Sequence, residues 1–490
     1  MDRLRRKIGG IETRWLALFV LCLGSLMIVL DATIVGVALP SIKKDLGFSQ
    51  ASLAWVVNLY LLTFGGFLLL GGRFGDLFGH RKMFLMGISL FTAASLACGL
   101  ATSQTFLVSA RAVQGIGGAI TSAVSLSLMM SLFTKPAERA KAMGVFGFVA
   151  SGGGSIGVLL GGIITDTLNW HWIFLVNVPI GILVYFLSLK LLPKLHQRAE
   201  GVKLDLFGAL TITASLMLQT YAIVNGNDKG WTSLYTLGFL GAGLAMLALF
   251  LGIESRVKSP LMPLSLFRLR NLVGANIVGV LWAGAMFAWF FMSALYLQLV
   301  LGYSPLKVGL AFLPGNLIMG VLSIGLSAKL VMKYGIRPPL SAGLSLAALG
   351  LLLFARAPVD GNFLVDVLPS MILLGIGAGT AFNPVLLAAM SDVKPEESGL
   401  ASGIVNTSFM MGGALGLAVL ASIAASRTSG QLAAQVDRAT ALTSGYHAAF
   451  LAGAVFAGLA ATVGALMLRT TKTVSPEHVE ASAEFTPGSA

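Results

Sequence analysis

Residues 15–39 read WLALFVLCLGSLMIVLDATIVGVAL, an apolar run interrupted by a single acid, Asp31. A membrane helix needs roughly 20 mostly apolar residues. The run follows a basic start, MDRLRRKIGGIETR, but it is too long for the apolar core of a signal peptide, and no small-residue cleavage site follows. It therefore reads as a first membrane span. Similar runs recur between charge clusters at 51–72, 83–102, 106–133, 142–165, 173–192, 204–224, 233–253, 272–300, 307–331, 339–356, 365–390, 400–424 and 446–469. The pattern predicts an all-α integral membrane protein with about 14 transmembrane helices.

Composition points the same way. Of 490 residues, 56% are hydrophobic and 11% are charged, whereas soluble domains carry about a quarter charged residues. The 59 glycines suit close approach of helices in a bilayer. The formal net charge of +13 follows the membrane rather than a nucleic acid. With a cytoplasmic N-terminus, only Lys43, Lys44, Lys229, Lys307, Arg356, Arg427 and Arg438 fall outside, and Arg111 falls within a span; the other basic residues face the cytoplasm. Both termini are then cytoplasmic, in the cell membrane. The segment 470–490 is polar and reads as a disordered tail. Cys22 and Cys98 lie in apolar spans and suggest neither a disulfide framework nor a metal site.

The chain also echoes itself. QGIGGAI at 114–120 matches LGIGAGT at 374–380, RAKAMG at 139–144 matches SGLASG at 398–403, and GHRK at 79–82 matches GIRP at 335–338. The shared offset makes the repeat parallel, spans 1–6 against spans 9–14, a transporter device. The expected organisation is a cytoplasmic N-terminus (1–14), a six-helix half (15–192), two inserted helices with linkers (193–271), a second six-helix half (272–469) and the tail.

The loop after the second span reads GGRFGDLFGHRKMF, residues 71–84. It resembles the signature loop of the major facilitator superfamily at Gly72, Asp76, Gly79, Arg81 and Lys82. LVSARAVQGIGGA resembles that family's span-4 motif at Arg111, Gln114 and Gly115. GGSIGVLLGG is similar to its antiporter motif at Gly153, Gly157, Gly161 and Gly162. LDATIVGVALP, WHWIFLVNVPIG and ALYLQLVLGYSPLKVGLAFLP resemble stretches of the fourteen-span drug:proton antiporters, the EmrB/QacA type. There are departures: Val158 stands for the antiporter-motif proline, Gly36 for an asparagine, His171 for an arginine, and Leu77 and His80 for arginines of the loop. The resemblance implies the major facilitator fold, with spans 1 and 4 side by side around a central cavity, and Asp76, Arg81 and Lys82 gating its cytoplasmic end. At the position equivalent to Asp76 the second half has Met332.

Asp31 and Arg111 are charges that stand well inside spans. Counted inward from Pro40 and Thr105, they share a depth within about one helical turn. Burial raises a carboxyl's proton affinity and a nearby Arg lowers it, so a couple whose distance changes can load and release a proton. A static pair tying two helices is the plainer alternative, but intramembrane ionisable groups are functional by default. Asn58, Gln298, Asn316, Asn383 and Asn406 are polar candidates for a cavity wall, with interhelical bonding as the alternative. Trp282, Met286, Trp289 and Phe290 form an aromatic and Met face that suits flat apolar compounds; lipid contact or packing is its alternative.

No Gly-Lys pair exists, so no phosphate-cradling loop for ATP, and GIGAG at 375–379 sits in a membrane helix without a preceding strand. No metal cluster and no catalytic constellation is legible. The sequence thus predicts a non-enzymatic, proton-gradient-driven antiporter that exports hydrophobic small molecules without cofactor, acting as a monomer with lipid, substrate and protons as partners. A facilitator importing a small polar nutrient is the competing reading.

Overall fold

In a computed structural model the apolar run becomes helix α1, Thr13–Leu46. The structure describes residues 7–8, 11–49, 52–133, 136–193, 205–257, 260–393 and 398–468. The tail 470–490, the basic stretch 194–204 and the side chain of Asp76 lie outside the described residues. The helices that follow are α2 (Trp55–Phe78), α3 (His80–Gly99), α4 (Gln104–Leu132) and α5 (Pro136–Thr167), then α6 (Trp172–Leu191), α7 (Leu206–Lys229) and α8 (Leu234–Glu254). The remainder are α9 (Arg270–Leu299), α10 (Pro305–Val321), α11 (Arg337–Phe354), α12 (Phe363–Met390), α13 (Ser398–Ala433) and α14 (Arg438–Met467). Helix α10 continues through a π turn, Leu322–Leu326, into Ser327–Tyr334. Among the described residues, 12 helices are long and apolar enough to cross a membrane; the apolar stretches of α5 and α10 counted on the same basis, Ile156–Thr167 and Pro305–Val321, are shorter. A short hairpin, Lys7–Ile8 paired with Ile11–Glu12, precedes α1 in an otherwise helical fold.

Span limits read from hydropathy are too short at polar ends. Helix α1 does not stop near Pro40; it carries Pro40 inside and ends at Gly47, whose φ of 71° lets its N–H reach the Lys43 carbonyl. Asp31 therefore sits about 22 Å from the helix end, deeper than a count from Pro40 gives.

Packing repeats between the halves. In the first, α1 packs on α5, α2 and α3 on α4, and α3 on α6; in the second, α9 packs on α13, α10 and α11 on α12, and α11 on α14. The echoed glycines explain the match. A Cβ on Gly115 would stand 2.5 Å from the Tyr60 carbonyl on α2, and one on Gly375 would strike the Gly315 carbonyl on α10. A Cβ on Gly117 would stand 2.6 Å from the Phe91 amide on α3, and one on Gly377 would stand 2.6 Å from the Gly343 carbonyl on α11. The halves meet through α5 on α10, α2 on α13 and α1 on α9, while α7 packs on α2, α13 and α8.

Candidate functional site

Asp31 and Arg111 meet directly. Arg111 Nη1 donates to Asp31 Oδ2 at 2.5 Å, and the two side chains are 0% and 1% exposed. An unpaired charge at such burial costs several kcal/mol, so the remaining donors and acceptors must be met. They are. Gln114, one helical turn beyond Arg111, accepts from Arg111 Nη1 at 2.7 Å and donates to Asp31 Oδ1 at 2.7 Å. Its amide also donates to Ser95 on α3 at 2.8 Å. Asn177 on α6 donates to Asp31 Oδ1 at 3.1 Å. Arg111 Nε donates to the Val56 carbonyl on α2 at 3.0 Å. The guanidinium lies 4.1 Å from the Tyr60 ring centroid and 5.6 Å from that of Phe174. Asn177, Ser95 and Tyr60 were not singled out by sequence reasoning. For Asn177 the signal was present, a lone amide within an apolar stretch.

The couple does not open onto the central cavity, contrary to the expectation for spans 1 and 4. A cavity of about 400 Å³ lies between the halves, and neither Asp31 nor Arg111 lines it. Tyr60 does, so one ring packs on the guanidinium and also forms cavity wall. Helix α1 explains the division: Ile28, Ala32, Gly36 and Leu39 line the cavity, and Asp31 turns toward α4 and α6 instead.

Trp282, Met286, Phe290, Asn316 and Asn406 line the cavity, as expected. Trp289, Gln298, Asn58 and Asn383 do not. Gly279, Met286, Phe290 and Ala294 centre the cavity face of α9, and Trp289 falls roughly 100° from that centre. It packs instead on Phe290 and Phe312, with centroids 4.4 and 6.4 Å away. Gln298 bridges the halves, donating to the Val37 carbonyl at 2.7 Å. Asn383 donates to the Ser323 carbonyl on α10. Asn58 is fully buried, and among the described residues neither of its amide atoms has a hydrogen-bond partner.

The motif glycines are contact points. Cβ atoms on Gly153, Gly157 and Gly161 would meet Leu26, Thr33 and Ile34 of α1, and one on Gly162 would stand 2.6 Å from the Pro305 carbonyl of α10. Val158 lines the cavity between them without a proline. In the signature loop, Gly79 has φ 93°, the left-handed region that glycine adopts without strain, and its N–H caps α2 on the Gly75 carbonyl. Arg81 donates to the Leu189 carbonyl of α6 at 2.6 Å, within its own half. Lys82 is exposed, and a Cβ on Gly72 would meet open space.

Residues 21–417 match the model of the Major Facilitator Superfamily. The chain belongs to that superfamily. This major facilitator protein is 37% identical over 462 residues to the puromycin resistance protein of Streptomyces alboniger, covering 94% of this chain and 90% of that one. It is 40% identical over 449 residues to the cephamycin export protein of Amycolatopsis lactamdurans, covering 91% and 90%. It is 37% identical over 431 residues to the multidrug resistance protein Stp of Mycobacterium tuberculosis, covering 87% and 79%. In fold it resembles the nucleoside transporter NupG, with a TM-score of 0.63 at 11% identity, covering 93% of this chain and 100% of that one. It is a multi-pass membrane transporter.

Proposed function

We propose that the protein is a proton-coupled exporter of hydrophobic drugs, antibiotics or related small molecules, working by alternating access across the cell membrane. The observation that carries the coupling is the sealed Asp31–Arg111 couple. Protonation of Asp31 removes the counter-charge of Arg111, which also bonds Gln114 and the Val56 carbonyl. The guanidinium must then shift, and the Tyr60 ring resting on it belongs to the cavity wall. Proton and substrate thus communicate through Tyr60 rather than by direct competition for the carboxylate. The membrane potential supplies about 2.3 kcal/mol per charge per 100 mV. The relatives' names, with resistance and export in them, support outward transport over nutrient import.

In this reading α5 and α10 also cross the bilayer, giving fourteen spans, and the Lys and Arg distribution puts both termini in the cytoplasm. The protein acts as a monomer in lipid with no cofactor but the gradient. In proteoliposomes, an imposed pH gradient drives accumulation of a fluorescent apolar substrate by the wild type and not by Asp31→Asn. Full coupling retained in Asp31→Asn would sink the assignment.

A further inference from the structure

The cavity wall is unusual for what it lacks. Among the described residues that line it, the Tyr60 phenol is the ionisable group; the rest are aliphatic, aromatic, Met, Gly, Ser, Thr or Asn. The nearest buried charges stand behind Tyr60, and they neutralise each other. A charged solute entering this space would shed its hydration and meet no counter-charge, a cost of several kcal/mol. Aromatic faces can offset that for a cation by about 0.5–2 kcal/mol each, but several faces here are engaged. The Tyr60 ring carries the Arg111 guanidinium. Phe290 and Phe312 stack on each other, with centroids 5.5 Å apart and planes 18° from parallel. An uncharged solute loses nothing of the kind. It gains about 25 cal/mol for each Å² of apolar surface removed from water, and Asn406 is exposed for a polar contact.

We propose that the cavity takes its substrates in uncharged form, and that the Tyr60 ring is the specificity-determining residue, holding the Asp31–Arg111 charges out of the cavity. A weak base is then carried as its free amine, and a permanent cation is refused. As a statement about pumping, this rests on the exporter reading above; as a statement about binding, it does not.

The test uses the full-length purified protein and two probes of closely matched shape, uncharged triphenylphosphine oxide and the methyltriphenylphosphonium cation. Binding is followed by quenching of tryptophan fluorescence, since Trp282 is in the wall. The wild type should bind the neutral probe at least about tenfold more tightly, as loss of hydration without a counter-charge requires. Equal or tighter binding of the cation overturns the proposal. Tyr60→Phe, which keeps the ring, should keep the preference, and Tyr60→Ala should shrink it to within about threefold as the charges reach the cavity. An unchanged preference in Tyr60→Ala removes Tyr60 from the mechanism. Should Tyr60→Ala fail to fold, Gly36→Asp serves instead. A Cβ there meets nothing within 4 Å, so the new carboxylate should reverse the preference toward the cation; no reversal counts against a cavity governed by charge. Pumping of the neutral probe in proteoliposomes separates the two readings. Selective binding without pumping overturns export and leaves the selection standing, and pumping without charge preference does the opposite.

Discussion

Asp31 is held by three side chains from two other helices, and the sequence disclosed part of that set. A carboxylate and a guanidinium in two apolar spans at one depth announce a pair, because neither is affordable alone in lipid. Gln114 follows from the motif it shares with Arg111. Asn177 and Ser95 did not stand out, because a single Asn or Ser in a membrane helix satisfies itself in many ways and its direction depends on the tertiary packing. Breaking a buried pair by removing one partner costs about 3–5 kcal/mol. Asp31→Asn should therefore lower the melting temperature as well as abolish coupling. The double variant Asp31→Asn with Arg111→Gln should recover much of the melting temperature and none of the gradient-driven transport, measured on the same preparation. Recovery of both would make the pair a structural tie only.

At the level of the helices, the apolar runs revealed where elements lie, but not which face of each is turned inward. Spans apolar all round have no polar side to point away from the core, so the face of α9 that meets the cavity was set one position wrong at Trp289. Glycines carry the missing information, because each marks where another backbone comes close. A Cβ on Gly161 would stand 2.7 Å from the Ile34 carbonyl, whereas one on Gly36 meets nothing within 4 Å. Gly161→Ala should thus cost about 1–3 kcal/mol through overpacking of α5 on α1. Gly36→Ala should be neutral or stabilising by up to about 1 kcal/mol. Thermal unfolding in one detergent compares them directly. Helix α7 begins at a cap, Asp205 Oδ1 accepting from the Gly208 amide at 2.7 Å. Asp205→Ala should loosen that first turn by about 1 kcal/mol, read as faster amide exchange over residues 206–209.

Across the whole molecule, the parallel repeat was legible from a constant offset, and its cause is visible in glycines that seat α4 on α2 and α3 just as they seat α12 on α10 and α11. What the offset could not convey is where the halves lock. Nearer the N-terminal end, a Cβ on Gly403 of α13 would strike the Leu69 side chain of α2. At the end away from the N-terminus they lock through Gln298 on the Val37 carbonyl and through Gly162 against Pro305. Gly162→Ala should prise that end apart. With a reporter cysteine at Gly36, labelling by an impermeant thiol reagent added from that side should rise several-fold over the Gly162 parent; the native Cys22 and Cys98 are buried and give little background. Unchanged labelling would mean that this contact does not hold the halves shut. The sealed position of Asp31 bears finally on speed. A carboxyl group at 0% exposure can exchange a proton with water only when the helices packed around it open locally. For a pump run through that residue, the breathing of one bundle is the clock: warming quickens it steeply, and a larger gradient raises the force without shortening the tick.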